Sequence, residues 1–128
     1  MMMKYLIPLL SLLVVTACAK PGFLADELVE PEILADQLVV RKGVTYQVDS
    51  DEPFTGRSVK YHENGKLKNR TDYKDGKKEG LSEWFWENGT LGQRGNLKGG
   101  KKEGLLEMFN ENGVLIRSVV YEDGVRLK

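Results

Sequence analysis

Gly80-Leu-Ser-Glu-Trp-Phe-Trp-Glu-Asn-Gly89 is the middle one of three related stretches in this chain of 128 residues. The first is Gly56-Arg-Ser-Val-Lys-Tyr-His-Glu-Asn-Gly65, and the third is Gly104-Leu-Leu-Glu-Met-Phe-Asn-Glu-Asn-Gly113. The leading glycine and the asparagine of each stretch recur every 24 residues, as do the glycines at positions 76, 100 and 124. Three landmarks on one interval are typical of a repeat protein, in which each repeat is one supersecondary unit.

Each repeat is predicted to be a β-hairpin. Asn-Gly is the preferred two-residue loop between antiparallel strands, because both residues tolerate positive φ. An aromatic or β-branched run precedes it and a second apolar run follows it, as in residues 59–61 and 67–73. A wider glycine-containing turn, such as Lys74-Asp-Gly76, is predicted to close each unit. The unit is therefore strand, tight turn, strand and loose turn.

The alternation of side chains along these strands predicts an all-β fold with apolar groups on both faces of one sheet. Successive side chains of a strand point to opposite faces. One hairpin alone is marginally stable in water, whereas three or more that share an apolar face can be stable. We therefore expect a meandering antiparallel sheet of stacked hairpins with a 24-residue period. One face takes Tyr61, Phe85, Phe109, Leu81 and Leu105, and the other takes Trp84, Trp86, Leu106 and Met108.

The repeat motif resembles the variant MORN repeat of bacterial proteins. The shared pattern is Gly-Leu-x-x-x-Phe-x-Glu-Asn-Gly-x-Leu, followed by the linking turn Asp-Gly-Lys-Lys-Glu-Gly. Residues 75–80 carry the linking turn in full, and residues 99–104 depart from it only in having Gly99 for aspartate. The resemblance covers about residues 53–128 and implies a sheet of stacked hairpins. Many of these proteins are labelled as antitoxin components of toxin–antitoxin systems, so the resemblance also implies a toxin as the partner.

Residues 1–17 are predicted to be a lipoprotein signal peptide. Lys4 is followed by an apolar run over residues 5–15, which is too short for a comfortable membrane span. The segment ends Val15-Thr-Ala-Cys18, which resembles the bacterial lipoprotein signal. That resemblance implies cleavage before Cys18, a lipid on its sulfur with acyl chains such as palmitate, and anchorage in the cell envelope. The alternative is an ordinary secretory signal followed by an incidental cysteine.

The rest of the chain is predicted to be a tether and one repeat domain. Residues 18–37 are the lipidated N-terminus and an acidic spacer, in which Pro31 leaves room for a short helical turn on either side. A helix lying on a membrane would want basic residues there instead. The repeat domain, residues 38–128, comprises a degenerate opening hairpin (38–52), three repeats (53–76, 77–100 and 101–124) and a terminal edge (125–128).

The formal net charge is zero, but two parts of the chain differ in sign. Residues 19–52 hold 3 basic and 8 acidic side chains, whereas residues 53–128 hold 15 basic and 11 acidic ones. The basic residues cluster at the loose turns, which indicates either a solvated surface or contact with anionic lipid or polymer. This surplus is not the concentrated basic footprint of a nucleic-acid-binding protein. The clustered lysines are Lys74, Lys77, Lys78, Lys98, Lys101 and Lys102.

The sequence lacks the constellation that an enzyme needs, so we predict no catalysis, no metal, no cofactor and no small-molecule substrate. His62 is the only histidine and Cys18 the only cysteine, so a His-containing triad and a His/Cys metal site both lack members. The single cysteine also rules out an internal disulfide. Glu63, Glu87 and Glu111 precede Asn-Gly in each repeat, which is typical of turn residues.

Trp84, Trp86 and Met108 are the remaining candidates for a functional site. Either they fill a thin core, or they form an exposed apolar strip for a protein partner, since Trp and Met are favoured at interface centres. We expect a non-enzymatic, lipid-anchored envelope protein whose repeats bind another protein. The alternative is a structural protein apposed to the membrane or cell wall. Ala19, in place of aspartate, points to the outer membrane in a Gram-negative cell; otherwise the outer face of the plasma membrane is expected.

Overall fold

The computed structural model describes residues 31–127, and this part of the chain is nearly all β. The predictions for residues 1–30, including the signal peptide and Cys18, lie outside the described residues. A 3-10 turn at Ala35–Gln37 is the helical element in the described range. The strands are β1 Glu32–Leu34, β2 Leu38–Arg41, β3 Val44–Gln47, β4 Gly56–Tyr61, β5 Leu67–Lys74, β6 Lys77–Phe85, β7 Leu91–Lys98, β8 Lys101–Phe109, β9 Leu115–Glu122 and β10 Val125–Arg126.

The predicted meander is confirmed. Strands β4 to β10 follow one another in space as in sequence, and each pairs antiparallel with the next. Strand β1 adds to the other edge of this sheet, parallel to β4, so the sheet has eight strands. Strands β2 and β3 form a separate two-stranded antiparallel sheet. The three repeats therefore contribute three successive hairpins, β4–β5, β6–β7 and β8–β9.

The two kinds of turn are the reverse of the prediction. Asp75-Gly76, predicted to lie in the loose turn, is the tight one: both residues have positive φ (52° and 83°), and the flanking lysines pair directly. This is the two-residue geometry that matches the twist of antiparallel strands. At Asn64-Gly65 only the glycine has positive φ (89°). We call the two-residue turns at 75–76, 99–100 and 123–124 the Asp-Gly turns, and those at 63–65, 87–89 and 111–113 the Asn-Gly turns.

A local hydrogen bond explains why the Asn-Gly turns are wider. The Gly65 N–H donates to the His62 carbonyl (2.9 Å), and His62 in turn pairs with Lys66 (2.8 Å), so three residues form the loop. The side-chain oxygen of Asn64 accepts the Lys66 N–H at 2.9 Å. Asn side chains that bond to the backbone two residues on favour this type of turn. The second repeat does the same with Asn88.

The core is thin, because one layer of strands cannot enclose many side chains. Four apolar side chains are buried within residues 31–127: Phe54, Val59, Leu106 and Val119. Val59 lies in register with Arg70 on one face, whereas Leu106 lies in register with Val119 on the other. Hydrogen bonds between strands and between repeats must therefore carry much of the stability.

The N-terminal part of the fold differs from the predicted spacer. Residues 32–34, assigned to the tether, form β1, and the Pro31 carbonyl accepts the Arg57 N–H at 2.8 Å. A three-residue strand with an exposed, acidic start carries no apolar alternation, so its pattern resembles a solvated spacer. The helical turns expected beside Pro31 reduce, in the described range, to the 3-10 turn.

The opening hairpin forms as predicted, but it does not stack in the main sheet. Its strands β2 and β3 meet at Lys42-Gly43, whose φ angles of 52° and 81° match those of the Asp-Gly turns. The Thr45 N–H donates to the Gly76 carbonyl, and the Phe54 N–H donates to Thr45, both at 2.9 Å. The hairpin is thus fixed to the first Asp-Gly turn rather than to a strand edge.

Candidate binding site

The structure brings Trp84, Trp86 and Met108 to one face of the sheet. Trp84 lies in register with Gln93, and Gln93 lies in register with Met108, so these three side chains share a face. The rings of Trp84 and Trp86 meet edge to face, with centroids 4.6 Å apart and an interplanar angle of 69°. All three candidates are half-buried. They form an apolar strip that Gln93 interrupts between the indole pair and Met108.

Gly92 provides the seat for the two indole rings, and sequence reasoning missed it. A Cβ atom at this position would overlap the six-membered ring of Trp84 and lie 2.9 Å from Nε1 of Trp86. The neighbouring repeats carry Lys68 and Ile116 at the equivalent position. The available signal was that the central repeat, which carries the two tryptophans, has a glycine where the other two repeats have a side chain. The seat is therefore specific to the central repeat.

Trp86 also links two repeats. Its indole N–H donates to the Phe109 carbonyl at 3.0 Å, and His62 Nε2 lies 2.8 Å from the Phe85 carbonyl in the repeat before. Because that carbonyl only accepts, Nε2 of His62 carries the proton. His62 and Trp86 thus do the same structural work, and the third repeat has Asn110 at this position.

The asparagines of the Asn-Gly turns form a second set of links between repeats. The side-chain N–H of Asn64 donates to the Glu87 carbonyl (2.8 Å), and that of Asn88 donates to the Glu111 carbonyl (2.9 Å). Asn112 makes no such bond to any residue in the range 31–127. The 24-residue interval of these asparagines, read first as a turn signal, also marks contacts between neighbouring hairpins.

The Asp-Gly turns are held by side chains from the first part of the same repeat. Glu79 accepts the Gly99 N–H at 2.8 Å, and Glu103 accepts the Asp123 N–H at 2.9 Å. In the first repeat Thr55 takes this role and accepts the Asp75 N–H at 2.8 Å. The glutamates beside the clustered lysines therefore have a structural role.

The clustered lysines do lie at the Asp-Gly end of the sheet, as expected, and three of them have local partners. Lys77 donates to the Gly43 carbonyl at 3.1 Å, and Lys101 lies 3.9 Å from Asp123. The ammonium of Lys102 lies 4.9 Å from the centre of the Tyr121 ring. Lys74, Lys78 and Lys98 are exposed, so this end keeps a basic surface.

The opposite face carries a row of ion pairs that cross the boundaries between repeats. Arg70 donates two hydrogen bonds to Glu83, which is 8% exposed, and Arg94 lies 3.0 Å from Glu107. The second pair lies 24 residues after the first at both positions. Ser118 occupies the next position in this series, where a third arginine would be. At the first hairpin the hydrogen bond that Arg57 donates to the Asp72 carboxylate raises the pKa of Arg57, so this arginine stays charged. These charges are matched internally.

Two further features of residues 31–127 bear on the site. No group of three or more His, Cys, Asp or Glu side chains in this range is arranged to hold a metal ion. The same residues include no helix that is long and apolar enough to cross a membrane. Glu63, Glu87 and Glu111 are exposed in the Asn-Gly turns.

Comparison with known proteins gives one match. The family model described as MORN repeat variant matches residues 54–75, 78–98 and 102–123, which together make up just over half of the chain. Each matched segment contains one hairpin of the main sheet. No curated protein and no solved structure matches the chain.

Proposed function

Because this chain belongs to the MORN repeat variant family, we propose that it is a non-enzymatic envelope lipoprotein whose stacked hairpins bind another protein. The repeats are consistent with a repeat-based binding module. A repeat fold is a scaffold, and function resides in the sites that it carries. The proposal therefore depends on particular surfaces of this chain.

The indole pair of Trp84 and Trp86 carries the proposal. Within residues 31–127 the strands outside the main sheet are β2 and β3, and their hairpin is bound at the first Asp-Gly turn and makes no substantial contact with β6, β7 or β8. Tryptophans at the centre of a protein interface often contribute 2 kcal/mol or more to binding, by order of magnitude. Gly92 leaves room for both rings against the sheet, and Trp86 is held by its edge-to-face contact with Trp84 and its bond to the Phe109 carbonyl before any partner arrives. A rigid aromatic anchor lowers the entropy lost on binding, which favours a protein-binding role for this strip.

Crosslinked pull-down from the native envelope tests the strip. The variant is Trp84→Ala, because Trp86 also holds two repeats together through its N–H. Lys60 occupies the same position in the first repeat, so Lys60→Ala is the matched control. We expect Trp84→Ala to capture at least about tenfold less partner than the wild-type protein, and Lys60→Ala to capture as much as the wild-type protein. Capture of every partner by folded Trp84→Ala would rule out the strip as the binding site.

The anchor at Cys18 rests on the sequence, and it has its own test. Each buried methylene of an acyl chain contributes about 0.8 kcal/mol, so several chains hold a protein durably at a membrane. We expect the wild-type protein to enter the detergent phase on phase separation and Cys18→Ser to remain in the aqueous phase. Equal partitioning of the two proteins would contradict the anchor, and with it the proposed outer-membrane or plasma-membrane location.

The absence of catalysis and the identity of the partner are separate parts of the proposal. A toxin as the partner stays a prediction that rests on the resemblance alone. The variant His62→Gln/Glu87→Gln/Glu111→Gln removes the side chains that an enzyme would most readily use, while glutamine keeps the N–H that His62 supplies to the Phe85 carbonyl. We expect this variant to retain the wild-type phenotype. Its loss in a folded protein would favour an enzyme.

A second candidate function is contact with anionic lipid or cell-wall polymer. It is favoured by the exposed lysines at the Asp-Gly end, because Pro31 of the acidic spacer that follows Cys18 packs against Gly56 at this same end. Sedimentation of Cys18→Ser with anionic liposomes separates the two functions. Binding that disappears at high salt would favour the second candidate, whereas no binding would favour a protein partner.

A further inference from the structure

The last repeat exposes an apolar patch on the face of the sheet that carries the ion pairs. Side chains on one face alternate along a strand and share register across strands, so Leu105 lies beside Val120 on this face. Strand β10 extends the patch, because Val125 lies in register with Glu122 and the Leu127 N–H donates to the Val120 carbonyl. Between 39% and 63% of each side chain is exposed in the set that we call the end patch: Leu105, Leu115, Val120, Val125 and Leu127.

Four positions of the end patch are charged two repeats earlier. Two 24-residue intervals before Leu105, Val120, Val125 and Leu127 stand Arg57, Asp72, Lys77 and Glu79. In the first hairpin Arg57 donates to the Asp72 carboxylate at 2.7 Å, so the fold accepts an ion pair where the last hairpin has Leu105 and Val120. The apolar side chains are therefore not required by the hairpin itself. Exposed apolar patches of this kind mark interaction surfaces.

A second copy of the chain fits the end patch. Two sheets pack face to face about 10 Å apart, with their strands within about 30° of each other. A two-fold axis that runs parallel to the strands, midway between β8 and β9, sets β8 of one copy against β9 of the other. Leu105 then faces Val120 of the partner subunit, and Phe109 faces Leu115 of the partner subunit. These residues are register partners within one hairpin, so the patch is complementary to itself.

The charges on this face favour an axis at the last hairpin. Glu107 lies at the centre of the hairpin and would face Ser118 of the partner subunit, whose hydroxyl can donate to the carboxylate. Arg94, which lies 3.0 Å from Glu107 in its own chain, stands one strand further out and stays at the rim. An axis between β6 and β7 would instead bury Glu83 and Arg94 of both copies at the centre, which costs desolvation of four charges. The last hairpin gives an apolar centre and a charged rim, as in stable interfaces.

The direction of the axis agrees with the proposed lipid anchor. An axis parallel to the strands leaves the Asp-Gly ends of both copies on the same side. Pro31 packs against Gly56 at that end, so the segments that follow Cys18 lead to both domains from one side. A two-fold axis across the strands would place these segments on opposite sides, where the two anchors could not enter one bilayer. This step rests on the proposed anchor, whereas the end patch does not.

We propose that the end patch is a dimer interface, in which two copies of the chain pack their last hairpins face to face about an axis parallel to the strands. The dimer goes beyond the proposed binding of another protein. It leaves the strip around Trp84 free, because that strip lies on the opposite face of the sheet.

Crosslinking in the native envelope locates the axis. Glu111 is exposed in the turn between β8 and β9, so two copies of Glu111→Cys would lie about 10 Å apart, within reach of a bismaleimide of that span. Glu63 has the same position in the first repeat, four strands away, and two copies of Glu63→Cys would lie about 40 Å apart. We expect at least about tenfold more crosslinked dimer from Glu111→Cys. Because Cys18 is common to both variants, it cannot produce the difference.

Matched substitutions in the Glu111→Cys protein identify the interface. Leu105→Arg/Val120→Asp gives the last hairpin the ion pair of the first, and it should reduce crosslinking at least about tenfold because those charges would be buried. Ile116→Lys is the control: it also removes an exposed apolar side chain of β9, and its equivalent Gly92 faces Trp84 on the other side of the sheet. We expect Ile116→Lys to crosslink like its parent.

A milder variant keeps the test meaningful if the double variant fails to fold. Val120→Asn copies the central hairpin, where Leu81 lies in register with Asn96. It should reduce crosslinking at least about threefold, because the amide would be buried without a partner.

Three results would overturn the dimer. They are equal crosslinking of Glu111→Cys and Glu63→Cys, unchanged crosslinking in a folded Leu105→Arg/Val120→Asp or Val120→Asn variant, and a crosslink from Glu111→Cys to a different protein with no dimer. A two-fold axis across the strands would give the first result, because it separates the two turns by about 30 Å. The pull-down with Trp84→Ala concerns the opposite face, so the dimer and the aromatic strip can fail independently.

Discussion

The two ends of the main sheet are built differently, although the three repeats between them follow one pattern. At the N-terminal end β1 covers β4, and the β2–β3 hairpin binds the first Asp-Gly turn. At the C-terminal end β10 covers only the last part of β9. The closing elements come from outside the repeats, as expected for a repeat array whose terminal units are atypical.

This difference shows where the stability of a single-layer repeat protein is held. Each repeat contributes its own hairpin and its interface with its neighbours. The first hairpin has β1 on one side and β6 on the other, whereas β9 has a full neighbour only in β8. The C-terminal repeat should therefore open most readily.

We call the N-terminal end of the main sheet the closed end and its C-terminal end the open end. The largest expected effect concerns Gly76, which contacts the β2–β3 hairpin at the closed end. A Cβ atom at Gly76 would overlap Cγ1 of Val44 and lie 3.1 Å from the Thr45 carbonyl oxygen. Gly100 has nearly the same φ (90° against 83°), but a Cβ atom at Gly100 would have no neighbouring atom closer than 4.0 Å. Gly100→Ala should cost about 1 kcal/mol from the left-handed backbone alone, and Gly76→Ala about 3 kcal/mol, because overlap adds to it.

Urea unfolding followed by tryptophan fluorescence measures both variants. The difference between them isolates the contact with the β2–β3 hairpin, because the backbone strain is shared. Equal losses of stability would mean that this hairpin contributes nothing to the closed end.

The repeats could be predicted from sequence, whereas the closed end could not. The 24-residue interval and the alternation of apolar residues are local signals, and both describe the observed hairpins. Asn-Gly suits two turn types, so the dipeptide alone did not show that Asn64 bonds to Lys66 and widens the turn. Strand β1 depends on Pro31 meeting Arg57, which is a contact between residues distant in sequence.

The candidate strip was also predicted only in part. The two-residue period placed Trp84, Trp86 and Met108 on one face, and the structure has them there. The seat at Gly92 and the bond from Trp86 to the next repeat depend on strand register. Register follows from turn length, and the turn lengths had been predicted the wrong way round.

The second effect compares two ion pairs that are equivalent by repeat but differ in burial. The side chains of Arg70 and Glu83 are 34% and 9% exposed, whereas those of Arg94 and Glu107 are 46% and 22% exposed. Double-mutant cycles to alanine should give a coupling energy of about 2 kcal/mol for the first pair and about 0.5 kcal/mol for the second. A larger coupling energy for Arg94 and Glu107 would contradict the expectation that the sheet is less rigid towards its C-terminal end.

The third effect compares an asparagine that links two repeats with one at the open edge. Asn88→Asp and Asn112→Asp each replace the amide N–H donor, keep an acceptor oxygen and add one charge. Of these two side chains, only that of Asn88 donates to a carbonyl within residues 31–127, namely that of Glu111 at 2.9 Å. We expect Asn88→Asp to cost about 1 kcal/mol more than Asn112→Asp in urea unfolding. Equal costs would imply that the asparagine link contributes nothing.

The smallest effect is a dependence on alkaline pH at the closed end. Burial raises the pKa of Tyr73 above its ordinary value of 10.0, and a hydrogen bond with Ser58 partly opposes this shift. Its ring packs against Phe54 with centroids 5.7 Å apart. The folded state therefore favours the neutral phenol, and the unfolded chain loses its proton first. This contribution to stability is complete below about pH 10 and is lost as the pH rises through the folded pKa.

Replacement of Tyr73 by phenylalanine isolates this contribution. We expect the free energy of unfolding of Tyr73→Phe to fall less steeply than that of wild type as the pH rises above about 10. Tyr121 stands at the same position in the third repeat, so Tyr121→Phe controls for loss of one phenol. A Tyr73→Phe slope equal to the wild-type slope would show that the closed end does not exclude water from this ring. The two ends of the sheet would then not differ in how well they shield a tyrosine ring from water.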